Sequence, residues 1–200
     1  MMPPTNELLD AYTDMVLRNI GWGYDPYLMT FMFNQLPGSP TTKARQMERE
    51  VERIYTMLLT RIHRKPRNIP IVAMPMLMAS PDWPVPKSEA KDPLSYATVN
   101  DGLHLHGIWL QPPSSRMREK LDDHIDECQA HYSGPDKALF RLHVEPITFT
   151  PEHAVRYVFK SLKRRRVGAD AVIILPCAHS EMPRLSRSER LERHAGQTTR

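Results

Sequence analysis

Between the breakers Gly102 and Pro112-Pro113 the chain carries Leu103-His104-Leu105-His106-Gly107-Ile108-Trp109-Leu110, an apolar run holding two histidines one residue apart. A short apolar run bounded in this way reads as a strand. Successive strand side chains leave opposite faces, so residues two apart share a face. Both imidazoles therefore project from one side of a sheet, close enough to hold a single metal ion.

The rest of the chain supplies the elements around that strand. Residues 5–20 place Leu8, Leu9, Tyr12, Val16 and Ile20 at helical spacing, and Gly21-Trp22-Gly23-Tyr24-Asp25-Pro26 ends the helix. Tyr27-Leu28-Met29-Thr30-Phe31-Met32-Phe33-Asn34 reads as a buried strand, closed by Pro37-Gly38. Ser39 can cap and Pro40 can open a helix running to about Arg64, with Met47, Val51, Ile54, Leu58 and Ile62 on its buried side. Residues 69–78 read as a strand whose prolines argue for an edge or irregular position. A proline-rich loop is expected over 80–101; it joins neighbouring strands, so it is no domain linker.

Ser114 or Ser115 is placed to cap a helix through about His131, with Met117, Leu121, His124, Ile125 and Cys128 inward. Leu139 to Thr148 alternates, which puts Phe140, Leu142 and Val144 on one face and Arg141, His143 and Glu145 on the other. Thr150-Pro151-Glu152 supplies a cap, a first-turn proline and an early acid for another helix, and Ala171-Val172-Ile173-Ile174-Leu175 is a last strand. Helices interleaved with five strands make an α+β fold with a mostly antiparallel sheet. The expected organisation is an N-terminal helical extension over 1–25, one catalytic domain over 26–178 and a basic flexible tail over 179–200.

Composition narrows the setting. The 200 residues are 40% apolar, enough for a core, and the net charge of +4 suits a nucleic-acid partner without requiring one. Cys128 and Cys177 are isolated, so a structural zinc site is not expected and a reducing compartment is. Neither a signal peptide nor an apolar run of membrane-spanning length is visible, and the expected setting is the cytoplasm.

Val155, Val158, Phe159 and Leu162 form the buried stripe of the helix after Pro151. Tyr157, Lys160, Ser161 and Arg164 share another face, so Tyr157 and Lys160 are neighbours one turn apart. A nearby ammonium favours a tyrosinate and neutralises a phosphate oxygen. A metal on the histidine pair polarises and orients a phosphodiester. Two histidines and an oxygen ligand suit Mn²⁺ or Mg²⁺, with the nitrogens favouring Mn²⁺. Lys163, Arg164, Arg165 and Arg166 extend positive charge that can bind a DNA backbone.

The order of these motifs resembles the HUH endonuclease superfamily, specifically rolling-circle replication initiators of the single-tyrosine type. Tyr27-Leu28-Met29-Thr30-Phe31-Met32-Phe33 resembles its first motif, His104-Leu105-His106 its His-apolar-His motif and Tyr157-Val158-Phe159-Lys160 its Tyr-X-X-Lys motif. The resemblance spans roughly residues 26–175. It implies an RRM-like central antiparallel sheet of five strands with the histidine strand in the middle, flanked by helices. It also implies metal ligation by His104 and His106, and single-stranded DNA cleavage by Tyr157 assisted by Lys160. The product is a 5′-phosphotyrosine and a free 3′-hydroxyl able to rejoin the strand. Ser161 stands where a two-tyrosine enzyme carries its second tyrosine. The third metal ligand is open among Asp82, Glu89, Asp101, Glu145 and water, with Glu145 read as a surface carboxylate. The partners implied are a single-stranded DNA origin and, in the absence of a Gly-X-X-X-X-Gly-Lys-Ser/Thr loop, a host helicase.

Other readings compete. A single-tyrosine transposase of the same superfamily commonly places Gln where Ser161 stands. A non-catalytic RRM-like binder of single-stranded nucleic acid needs exposed aromatics on its central strands, for which Trp109 and Phe31 are the candidates. A decayed element-derived protein would keep the fold without the activity.

Overall fold

A computed structural model describes residues 5–82, 103–148 and 150–176. Its helices are α1 (Thr5–Gly21), α2 (Pro40–Ile62), α3 (Leu121–Glu127), α4 (Gln129–Tyr132), α5 (Pro151–Val158) and α6 (Lys160–Lys163). Its strands are β1 (Asp25–Phe33), β2 (Met76–Asp82), β3 (His104–Gln111), β4 (Leu139–Pro146) and β5 (Ile173–Leu175). The strands form one sheet in the order β4-β1-β3-β2-β5, antiparallel throughout, with the histidine strand at the centre. This is the α+β, RRM-like architecture expected.

The sheet divides two cores, and strand alternation decides what enters each. One face sends Met29, Phe31, Phe33, Leu105 and Trp109 toward α2 and α3. The other sends Ile108, Leu110 and Met78 toward Leu9, Tyr12 and Val16 of α1 and toward Val155, Val158, Phe159 and Leu162 of α5 and α6. The histidines belong to this second face. Helix α2 follows its sequence signals, since the Ser39 hydroxyl accepts from the Thr42 amide and Pro40 occupies the first turn. Trp109 and Phe31 are fully buried, with Trp109 packed on Tyr55 at 5.6 Å, so neither is available to stack on a base.

Several boundaries differ from expectation for identifiable reasons. Pro66–Asn68 and Ile71–Ala73 form single tight turns, and β2 starts only at Met76. β2 then runs on through Ser80, Pro81 and Asp82, which read as loop in the sequence. β5 pairs only with Leu77–Ala79, so the far end of β2 is an edge, where proline is tolerated. The helix expected from Ser114 or Ser115 begins at Leu121 instead. Ser115 accepts from the Met117 amide, and Arg116 donates to the terminal carbonyls of α2 at Thr60 and Arg61, which holds that stretch out of helical form. Thr150 makes no side-chain cap, and the helix it precedes is interrupted at Phe159 before α6. Phe140 is not a core residue. The β1–β4 register shifts between Met32 and Phe33, so that Leu139 opposes Phe33 and takes the buried place while Phe140 is 45% exposed.

Candidate metal centre and tyrosine site

The β2–β3 register sets Asp82 directly opposite His104 and Ser80 opposite His106. Asp82, His104 and His106 thus gather at one end of the central hairpin, all on the α5 side of the sheet. Their ligand atoms converge: Nε2 of His104 lies 3.2 Å from Nε2 of His106 and 3.2 Å from Oδ2 of Asp82, and His106 Nε2 lies 3.7 Å from the same oxygen. A proton on one Nε2 lets these atoms hydrogen-bond to one another, and a metal ion among them would take up all three lone pairs at once. The circle through three atoms so separated has a radius of about 2 Å, so an ion just off their plane is held at the bonding distance of a divalent metal. Two imidazoles and one carboxylate on a single side of the ion leave its other positions open. The three residues fit a metal ion.

Each ligand is itself held. Thr30 of β1 pairs across the sheet with His106, and its Oγ1 lies 3.1 Å from His106 Nδ1. The tautomer in which Nδ1–H donates to Thr30 leaves the Nε2 lone pair facing Asp82 and His104, as ligation requires. Burial pushes the His106 imidazole down to about 4, helped by the charges of His104 and Lys160 and opposed by Asp82. The ring is therefore a neutral ligand across the physiological range. Burial alone raises the Asp82 carboxyl. Hydrogen bonds from Lys160 and Ser161, with the positive charges of Lys160 and His104, outweigh it and hold the group below the usual carboxylate range.

Helices α5 and α6 bring the remaining groups. Lys160 Nζ donates to Asp82 Oδ2 at 2.7 Å and lies 4.4 Å from the centre of the Tyr157 ring. The sequence places this ammonium beside the phenol; in the fold its hydrogen-bond partner is Asp82, and the tyrosine meets it through the ring face. Ser161, fully buried, donates to Asp82 Oδ1 at 2.8 Å. Tyr157 Oη stands 3.3 Å from His106 Nε2, with the two rings 4.7 Å apart. Tyr157 is 38% exposed, so part of the residue faces solvent while its hydroxyl meets the cluster.

The expected residues thus divide. His104, His106, Tyr157 and Lys160 are brought together. Of the described candidates for third ligand, Asp82 and Glu145, only Asp82 lies with the histidines; Glu89 and Asp101 lie outside the described residues. Glu145 is exposed on β4, 4.0 Å from His143. Lys163, Arg164, Arg165 and Arg166 are exposed beyond the cluster, and Lys163 lines a cleft with Asp10 of α1. Asp82 and Ser161 are the two members whose roles sequence patterns did not assign. Among the described residues no helix is long and apolar enough to cross a membrane. Comparison with family models, curated protein sequences and solved structures gives no significant match.

Proposed function

We propose that this chain nicks and rejoins single-stranded DNA in a metal-dependent reaction, as an HUH-type initiator of rolling-circle replication for a phage or plasmid. The observation that carries the reading is the Tyr157 hydroxyl 3.3 Å from His106 Nε2, at the mouth of three converging metal ligands. A phenol needs a reason to sit there, and attack on a phosphodiester supplies one.

Tyr157 Oη loses its proton and forms a bond to phosphorus; the bond from phosphorus to the 3′ oxygen breaks, and that oxygen takes up a proton. The protein then carries a 5′-phosphotyrosine, and the freed 3′-hydroxyl can reverse the step. A divalent ion, Mn²⁺ or Mg²⁺, when held by Asp82, His104 and His106, supplies charge neutralisation at the phosphate and at the leaving oxygen. Lys160 holds Asp82 in place and adds positive potential over the Tyr157 ring. Thr30 fixes the His106 ring, and Ser161 fixes the carboxylate.

The rival readings are less well supported by these residues. A base-stacking binder that uses Trp109 and Phe31 has no exposed ring at either position. Where a transposase carries glutamine, the small Ser161 is committed to Asp82.

The test is incubation of the protein with Mn²⁺ and single-stranded origin oligonucleotides, followed by denaturing electrophoresis. A covalent protein–DNA adduct is expected; Tyr157→Phe should abolish it, and His106→Ala should lose metal dependence and most of the rate. Undiminished adduct from Tyr157→Phe overturns the nucleophile assignment.

A further inference from the structure

The face of the sheet that carries the metal ligands is only partly roofed. Helices α1, α5 and α6 pack over β3 and β2 through Ile108, Leu110 and Met78. Toward β4 that face is open. It exposes Met32 of the inner strand β1 at 41% and Phe140 of the edge strand β4 at 45%, beside the exposed Arg141, His143 and Glu145 of β4.

Their placement is tied to the metal cluster by register. Met32 pairs with His104 on one side and Arg141 on the other, and Thr30 pairs with His106 and with His143. Two parallel rows therefore lead from the ligands to the open edge. Neighbouring strands are about 4.8 Å apart, so Arg141 stands about 10 Å from His104. The bulge opposite Met32 and Phe33 is what turns Phe140 out beside Arg141 rather than into the core. A cleft of about 280 Å³ lined by Thr30, Glu145, His153 and Tyr157 continues the strip to the phenol.

We propose that this open strip, Met32, Phe140, Arg141 and His143, is the track on which a single DNA strand lies beside the scissile phosphate, with a base stacked on Phe140 and its backbone held by Arg141. Exposed apolar surface beside the Arg141 guanidinium suits a single strand, whose base faces are free and whose backbone is anionic; a duplex keeps its bases stacked inside. The cleft that continues the strip ends at Tyr157, so a strand lying along it delivers a phosphate to the phenol. The inference rests on the nicking reading for its choice of DNA.

The experiment is fluorescence anisotropy of a labelled oligothymidine with the full chain in EDTA, where no cleavage occurs. Phe140→Ala is expected to weaken binding about 5- to 10-fold, and Phe140→Tyr, which keeps a stacking ring, should bind like the parent. Arg141→Gln should weaken binding and lower the slope of log affinity against log salt by about 0.7. Parent-like binding by both Phe140→Ala and Arg141→Gln, a preference of the parent for duplex, or no binding of a single strand overturns the proposal. Adduct formation at Tyr157, assayed separately with the same oligonucleotide in Mn²⁺, separates the two readings. Binding that depends on Phe140 without any adduct sinks the nicking reading alone, and an adduct with a binding-neutral Phe140→Ala sinks the track alone.

Discussion

Replacing Asp82 by Asn perturbs the site at its most connected atom pair. The carboxylate accepts from Lys160 at 2.7 Å through one oxygen and from Ser161 at 2.8 Å through the other, and its side chain is only 10% exposed. Asparagine keeps the shape but has one acceptor oxygen. That oxygen can serve Lys160 while the amide donates to the Ser161 hydroxyl, so hydrogen bonding survives and the charge attraction is lost. With the Lys160 side chain 31% exposed, solvent softens the loss, and the cost to folding is about 1–2 kcal/mol. Metal binding should suffer more. The three ligands carry one negative charge between them, all of it on Asp82. Removing groups that merely orient ligands costs about 10- to 100-fold in affinity, so losing the charged ligand should cost about 100-fold or more, or about 2.7 kcal/mol. Isothermal titration with Mn²⁺ reads the affinity, and urea denaturation in EDTA reads the folding cost separately. Asp82→Asn that binds Mn²⁺ within threefold of the parent refutes the assignment of Asp82 as a ligand.

Ser161→Ala removes the hydroxyl that anchors the second oxygen of Asp82; it should weaken Mn²⁺ binding about 10-fold in the same titration. In the metal-free protein the buried His106 takes up a proton at about 4, below its unfolded value of about 6.5, so the unfolded chain binds the extra proton between the two. Its contribution to stability is therefore complete above that unfolded value and is lost as the pH falls toward 4. Urea denaturation in EDTA should show about 2 kcal/mol lost between about pH 7 and pH 4.5, and His106→Gln should remove that share of the slope. Gly107 shares one face of β3 with the bulky core residues Leu105 and Trp109, and a Cβ there would come within 3.0 Å of Leu77 Cδ1 and 3.2 Å of the Met78 carbonyl oxygen. Gly107→Ala should lower stability by about 1–3 kcal/mol, read by the midpoint of urea unfolding.

How much of this was legible in the sequence depends on which physical signal each feature leaves. The paired histidines and the two faces of the Tyr157 helix follow from periods of two and 3.6, and the structure places them as those periods require. Asp82 is different. Ser80-Pro81-Asp82 has the composition of a loop, and only the register of β2 against β3, which no periodicity encodes, carries Asp82 opposite His104. Nothing in the spacing around Ser161 marks it as a partner of Asp82, because that donation depends on how α6 seats against β2. Strict alternation assigns Phe140 to the core, and one bulge reverses its side. The start of α3 moved because the side chain of Arg116 is spent on α2, a tertiary bond that outweighs the capping preference of the serines.

The central claim is that Tyr157 attacks DNA. Trypsin cuts after Arg156 and Lys160, so an adduct formed with Mn²⁺ and a randomised pool of single-stranded oligonucleotides can be trimmed by nuclease, digested and mapped by mass spectrometry. The account predicts a phosphonucleotide on the peptide Tyr157-Val158-Phe159-Lys160. A nucleotide on any other tyrosine, or no adduct from a protein that binds Mn²⁺ at Asp82, His104 and His106, contradicts it.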